Sequence, residues 1–304
     1  MRFPSLPLAA ALSFALAACA VDTPPETAAA PAPAPDLMKW PDLLNRERPQ
    51  PSTTIRYGED QLQIVDLWLP EGRGPHPTVL MVHGGCWQTE IADRRIMNWI
   101  AEDLRRRGIA VWNIDYRGVD RDGGGYPGTY VDAAGAADAL QAHAKTHNLD
   151  LSPLVATGHS AGGHLALWLA ARPRLPAGSP LRTARPIPIH AVVSLGGLQD
   201  LEEAARPPGS GCGTEVIEKI SGGRLAETSL PNLAPLGVRQ VLVNGLQDKI
   251  IPPNYADIYR KKVEAKGDKV KVRMVDRTGH VELIAPESAA WAAAVEEIEK
   301  ALKR

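Results

Sequence analysis

Residues 154–166 read LVATGHSAGGHLA. Leu154–Thr157 is a short run that reads as a strand, and Ala161–Ala171 reads as a helix. Between them lies Gly158-His159-Ser160-Ala161-Gly162, a G-x-S-x-G pentapeptide. Alone the pattern is common; its place between a strand and a helix is what gives it meaning. A sharp strand-to-helix turn sets the serine at the top edge of a sheet, and small flanking residues let the two elements approach. The N-terminus of the new helix adds a positive dipole end where an oxyanion would develop. Ser160 is therefore the candidate nucleophile.

Outward from this turn the chain alternates short β-branched runs with longer amphipathic ones. Leu62–Leu69, Thr78–Val82, Ile109–Ile114, Ala191–Leu195, Gln240–Asn244 and Val270–Val275 read as strands. Asp93–Arg107 carries Ile96, Trp99, Ile100 and Leu104 at helical spacing, with Gly108 as a stop. Asp132–His147, Pro253–Lys266 and Pro286–Lys303 read as further helices. Such alternation predicts an α/β fold, a mainly parallel central sheet with helices on both faces, and places active groups beyond the carboxyl ends of the strands. The Pro- and Gly-rich stretch from Arg172 to Pro235 breaks the rhythm and is expected to be a lid-like insertion that shapes the substrate site.

After the strand at 78–82 comes His83-Gly84-Gly85-Cys86-Trp87. Adjacent glycines let backbone N–H groups turn toward a ligand with no Cβ in the way. Gly84 and Gly85, with the N–H of Ala161 behind the nucleophile, are the expected oxyanion hole. The acid and base should follow in the order Asp, then His. Asp248 lies just past the strand that ends at Asn244, and His280 follows the strand at 270–275 in Thr278-Gly279-His280. Asp276, Asp200 and Glu282 compete for the acid role; Asp276 is close to His280 in sequence and Asp200 follows an earlier strand, so Asp248 ranks first. His83 is expected to brace its glycine loop, and His159 and His164 to pack around the turn. His143 and His147 at i, i+4 lack an intervening glutamate and a third ligand, so no metal site is expected there.

At these residues the chain resembles α/β-hydrolases of the esterase/lipase branch with an HGG-x-W oxyanion motif, which includes carboxylesterases, acetylxylan and feruloyl esterases and kynurenine formamidases. The matching stretches are HGGCW at 83–87, DYRG at 115–118, GHSAGGHLA at 158–166, NGLQDKIIP at 244–252 and GHVELI at 279–284. The resemblance implies a serine hydrolase acting on a small-molecule carboxylic ester, with Ser160, Asp248 and His280 as catalytic residues and no metal or cofactor. Arylformamidase or peptidase action on amide bonds uses the same triad, and a hydrolase-fold protein that only binds is a further alternative. Cys86 departs from the Gly, Tyr or Phe frequent in relatives.

The overall composition is neutral on function. Lys and Arg total 34 against 35 Asp and Glu, so no charge excess points to nucleic acid. Of three cysteines, Cys19 ends Leu16-Ala17-Ala18-Cys19, which resembles the lipobox of bacterial lipoprotein signals. That resemblance implies a signal peptide over 1–18, lipidation at Cys19 and export to the cell envelope. Ala20 in place of Asp implies the outer membrane, facing the periplasm. Residues 19–36 are rich in Pro and Ala, too poor in apolar bulk to fold, and read as a tether before a hydrolase domain over 37–304. Both phenylalanines, Phe3 and Phe14, fall within the signal. Cys86 and Cys212 remain, and an exported compartment permits a disulfide between them; sequence alone leaves the pairing open.

Overall fold

The computed structural model describes residues 36–303 apart from Pro208. The expected signal, Cys19 and nearly all of the tether lie outside the described residues. Eight strands form one sheet: β1 (Thr53–Arg56), β2 (Ile64–Trp68), β3 (His76–Val82), β4 (Ala110–Ile114), β5 (Leu149–His159), β6 (Ala191–Leu195), β7 (Arg239–Gly245) and β8 (Val270–Val275). Their order is β1-β2-β4-β3-β5-β6-β7-β8. β2 runs antiparallel to β1 and β4, and every other pairing is parallel. Ten helices accompany it among the described residues: α1 (Trp40–Leu44), α2 (Asn98–Arg106), α3 (Gly128–His143), α4 (Ala161–Ala171), α5 (Leu201–Ala205), α6 (Thr214–Ser221), α7 (Leu225–Thr228), α8 (Leu230–Leu233), α9 (Asn254–Glu264) and α10 (Ala289–Leu302).

The period-2 alternation of the central strands builds two cores. Leu80, Val82, Trp112, Ala156, Val192 and Leu242 point to the face covered by α3, α4 and α9. Val79, Met81, Val111, Val155, Val193 and Val241 point to the opposite face, covered by α2 and α10. Burial on both faces explains why these strands read as continuous apolar runs. All eleven residues of α4 are buried, so the helix that carries the serine turn is clamped on every side.

The structure corrects several boundaries. α3 starts at Gly128, four residues before the expected start at Asp132, because Asp132 is not a helix cap. It is buried within the helix, accepting from Arg117 Nε at 2.7 Å and from Gln63 Nε2 at 2.8 Å. β5 is much longer than Leu154–Thr157, since Leu149 and Asp150 also pair with His76 and Pro77. The 172–235 stretch contains β6 and four short helices whose Leu201, Ala204, Ile217, Ile220, Leu230 and Leu233 join the same core as α3 and α4. Most of it is therefore packed into that core, on α4, α9 and its own short helices.

On α4, His164 is fully buried and its Nε2–H donates to Thr228 O at 2.7 Å. Burial lowers its pKa from the ordinary 6.5 to about 4. The unfolded chain binds the proton first, so this contribution to stability is complete above pH 6.5 and is lost as pH falls toward 4, at a cost of about 3 kcal/mol. His159, also depressed by burial, acts in the same direction. The melting temperature should therefore fall between pH 6.5 and 4, and thermal scans of His164→Gln should show a shallower acid limb despite lower stability at pH 7.

Candidate active site

Ser160 sits between β5 and α4 with φ 53° and ψ −122°, a conformation that costs a non-glycine residue roughly 1–3 kcal/mol. Neighbouring contacts impose it. Ser160 N donates to Leu195 O at 2.8 Å, and Gly163 N donates to Ser160 O at 2.9 Å. The motif glycines are steric necessities. A Cβ on Gly162 would lie 2.2 Å from Val82 O and 2.4 Å from His83 O, and one on Gly158 would lie 2.1 Å from Gly162 O. α4 thus begins in contact with the end of β3, and the serine is presented at the sheet edge while remaining 2% exposed.

The expected acid and base meet. His280 Nδ1–H donates to Asp248 Oδ2 at 2.7 Å, and Ile250 N and Ile251 N donate to Asp248 Oδ1 at 2.8 and 2.9 Å. Both side chains are buried. The glycine turn after β6 lies against the pair: Gly196 has φ +54°, and a Cβ there would make ordinary contact with Asp248 Oδ2 and His280 Nδ1 but would lie 2.6 Å from Leu283 Cδ1. The competing carboxylates are engaged elsewhere. Asp200 accepts from Glu203 N at the start of α5 and pairs with Lys262. Asp276 accepts from Gln247 Nε2. Glu282 receives Met38 N on Oε1 and Gly279 N on Oε2, which ties the entry to α1 to the loop that carries His280.

His159, the residue before the serine, is held against the same loop. Its Nε2–H donates to His280 O at 3.0 Å, and the two rings lie 4.4 Å apart. Burial, aided by the charge of His280, holds its pKa well below the usual range, so the ring is neutral and its Nδ1 has no hydrogen-bond partner among the described residues. Ser160 and His280 are not hydrogen-bonded to each other; they share the wall of one pocket.

The glycine loop after β3 lies against the serine. A Cβ on Gly84 would be 3.0 Å from Ser160 Cβ and 2.9 Å from His159 O. His83 braces the loop as expected, with Nδ1 2.7 Å from Gly84 O, Nε2 3.0 Å from Asp115 Oδ1 and its ring stacked on Tyr116. The N–H groups of Gly85 and Cys86 meet no acceptor among the described residues, and both residues line the pocket. Ala161, first in α4, presents an N–H without an intrahelical acceptor. Cys86 is joined to Cys212 by a disulfide, Cα to Cα 5.3 Å.

The pocket encloses about 270 Å³. Its walls are Trp40, Leu44, Ile91, Ala92, Ile96 and Ile250, together with Gly85, Cys86, Gly211 and the polar trio His159, Ser160 and His280. No Asp, Glu, Lys or Arg lines it. Of the 172–235 stretch only Gly211 reaches it, which corrects the expectation that this stretch supplies most of the substrate-shaping surface. Trp40 and Leu44 of α1 were not foreseen as site residues. Their one signal is a Trp and a Leu left half-exposed on a short helix started by Pro41 and Asp42. The Trp40 ring lies 6.2 Å from His159 and 6.4 Å from His280, edge-on to both. Among the described residues no cluster of three or more His, Cys, Asp or Glu is placed to hold a metal ion.

A mainly parallel sheet, helices on both faces and a serine on a strained strand-to-helix turn define an α/β-hydrolase fold. The chain belongs to the BD-FAE family, an α/β-hydrolase esterase family, whose model matches residues 65–230, more than half of its length. No curated protein matches it. Among solved structures it is similar to a truncated carbohydrate esterase from gut microbiota, at 18% identity and TM-score 0.68 over 85% of this chain and 100% of that one. It is also similar to esterase B from Lactobacillus rhamnosis, at 21% identity and TM-score 0.68 over 84% and 89%. Esterase 2 of Thermogutta terrifontis, phosphonylated by sarin, gives 18% identity and TM-score 0.68 over 86% and 96%.

Gly162→Ala tests the turn. The added Cβ must displace the end of β3, an overpacking that costs about 1–3 kcal/mol and lowers the melting temperature by roughly 3–10 °C. Thermal scans should show this drop, and covalent labelling by a fluorophosphonate should be lost with it.

Proposed function

We propose that the protein is a serine hydrolase that cleaves small, uncharged carboxylic esters with short acyl or aryl groups through an acyl-enzyme. The observation that carries this reading is the convergence of Ser160 and His280 on one apolar pocket, with Asp248 hydrogen-bonded to the imidazole from behind. In this mechanism Ser160 Oγ attacks the ester carbonyl carbon while His280 Nε2 takes its proton. Asp248 holds the tautomer and stabilises the imidazolium. The backbone N–H groups of the Gly84–Gly85 loop and of Ala161 receive the oxyanion. Collapse breaks the bond to the alcohol, which leaves with the proton from His280. Water, deprotonated by the same imidazole, then releases the acid and restores the serine.

The pocket supports the substrate class. Its lining offers no charged side chain, and its volume suits an acyl group of a few carbons. Ser160→Ala should reduce turnover of p-nitrophenyl acetate by at least about 10⁴-fold and abolish fluorophosphonate labelling; full activity in this variant would refute the reading. Trp40→Ala should open the wall beside His280. Assayed on p-nitrophenyl esters of graded length, it should raise kcat/KM for hexanoate relative to acetate roughly tenfold.

Export and lipid anchoring through Cys19, to the periplasmic side of the outer membrane, complete the proposal. The lipobox-like LAAC at 16–19 supports it, as does the Cys86–Cys212 pair, since disulfides persist in oxidising compartments. Metabolic labelling with an alkynyl fatty acid should mark the expressed protein and not its Cys19→Ala variant.

A further inference from the structure

The two cysteines of the described chain are 126 residues apart, and each lies beside a different part of the reaction machinery. We propose that the Cys86–Cys212 disulfide is a positioning element that holds the oxyanion loop against the Asp248 turn, so that turnover depends on the oxidised enzyme. This inference rests on the esterase reading given above.

The oxyanion loop needs such a restraint. Gly85, Cys86 and Trp87 follow one another at φ +98°, +51° and +53°, and two of the three are not glycine. Left-handed backbone at non-glycine residues persists only where surroundings enforce it. Gly85 is tied by Gln88 N, which donates to Gly85 O, and Trp87 by Val119 N, which donates to Trp87 O. Cys86 lies between them with no backbone hydrogen bond among the described residues. Its sulfur supplies the fixed link.

The other end of the bridge leads to the acid. Cys212 follows Gly211, whose N–H donates to Ile250 O at 2.9 Å and whose Cα packs so closely that a Cβ would lie 3.0 Å from Ile250. The N–H groups of Ile250 and Ile251 in turn hold Asp248 Oδ1, while Oδ2 holds His280. Around Cys212 the loop carries glycines at positive φ, Gly209 and Gly213, and is closed by Ser210 N donating to Ala204 O and Gly213 N donating to Ser210 O, so the bridge ends on a held turn. Gly85, Cys86, Gly211 and Ile250 also form one continuous stretch of pocket wall. Cutting the bridge therefore frees the donors of the oxyanion hole and the support of the Asp–His pair together, and loosens the wall between them.

Reduction by dithiothreitol supplies two electrons and two protons, converts the bridge to two thiols and leaves the reagent as its cyclic disulfide. The full-length protein is assayed oxidised, reduced and reoxidised, with thiol titration to count the cysteines freed by reduction and far-UV circular dichroism to follow the fold. Oxidised enzyme should turn over p-nitrophenyl acetate. With two thiols free, kcat should fall about tenfold, less than the 10²–10³ expected for outright loss of an oxyanion donor, while KM moves less than about threefold. Reoxidation should restore kcat, and Cys86→Ala/Cys212→Ala should match the reduced enzyme and ignore the reductant. Hydrogen exchange at the Ile250 and Ile251 amides should quicken on reduction and in the double variant. A folded, fully reduced enzyme with undiminished kcat overturns the inference, as do Ile250 and Ile251 amides that exchange at an unchanged rate. Oxidised enzyme that neither hydrolyses the ester nor labels with fluorophosphonate overturns the esterase reading first.

Discussion

At the second residue of α4 there is no room for a side chain. Gly162 presses its backbone against the carbonyls of Val82 and His83, and that contact fixes two things at once. It sets the distance between helix and sheet, and it brings the end of β3 beside the serine, whose strained conformation is held by the hydrogen bonds of Ser160 N to Leu195 O and Gly163 N to Ser160 O. Burial of α4 on all sides supplies the apolar driving force that keeps the strained turn closed. Strain at the nucleophile is thus opposed by packing elsewhere in the same helix.

The polar groups around the site obey the complementary rule that a buried donor or acceptor needs a partner. Asp248 satisfies its two oxygens with two backbone amides and one imidazole, an arrangement suited to a carboxylate that stays an acceptor. His159, kept neutral by burial, contributes one hydrogen bond to the His280 loop and places an uncharged ring beside the base. Glu282, a rival for the acid role from sequence, instead joins the amino-terminal segment to that loop. The charged side chain closest in sequence to the base, Glu282, therefore positions backbone, and the pocket itself stays free of charge.

The sheet and the three candidate catalytic residues were legible because each depends on local signals. Doubly buried strands announce themselves as apolar runs, and Ser160 and Asp248 each follow one of them, while His280 follows the half-exposed edge strand β8, whose signal is apolar–polar alternation. What was not legible depends on folding at a distance. Asp132 looks like a helix start and is instead a buried partner of Arg117 from another loop. Trp40, Leu44 and Ile91 have no periodicity that marks a pocket wall; only the meeting of α1 with the loop after β3 beside Ser160 makes them one. The pairing of Cys86 with Cys212 required a Cα separation that no spacing rule supplies. The 172–235 stretch was misjudged because Pro and Gly density resembles a loop even where short helices bury their leucines.

The position of α1 has a consequence for how the pocket and the base are held. The wall beside the base is built from the first helix of the described chain, outside residues 65–230 where the family pattern is matched. Asp248 and His280 lie outside those residues too, and Met38 N, at the entry to α1, donates to Glu282 on the loop that carries the base. An exchange of residues at α1 therefore reaches the cavity wall and the imidazole through one shared carboxylate, and neither can be altered as an isolated part.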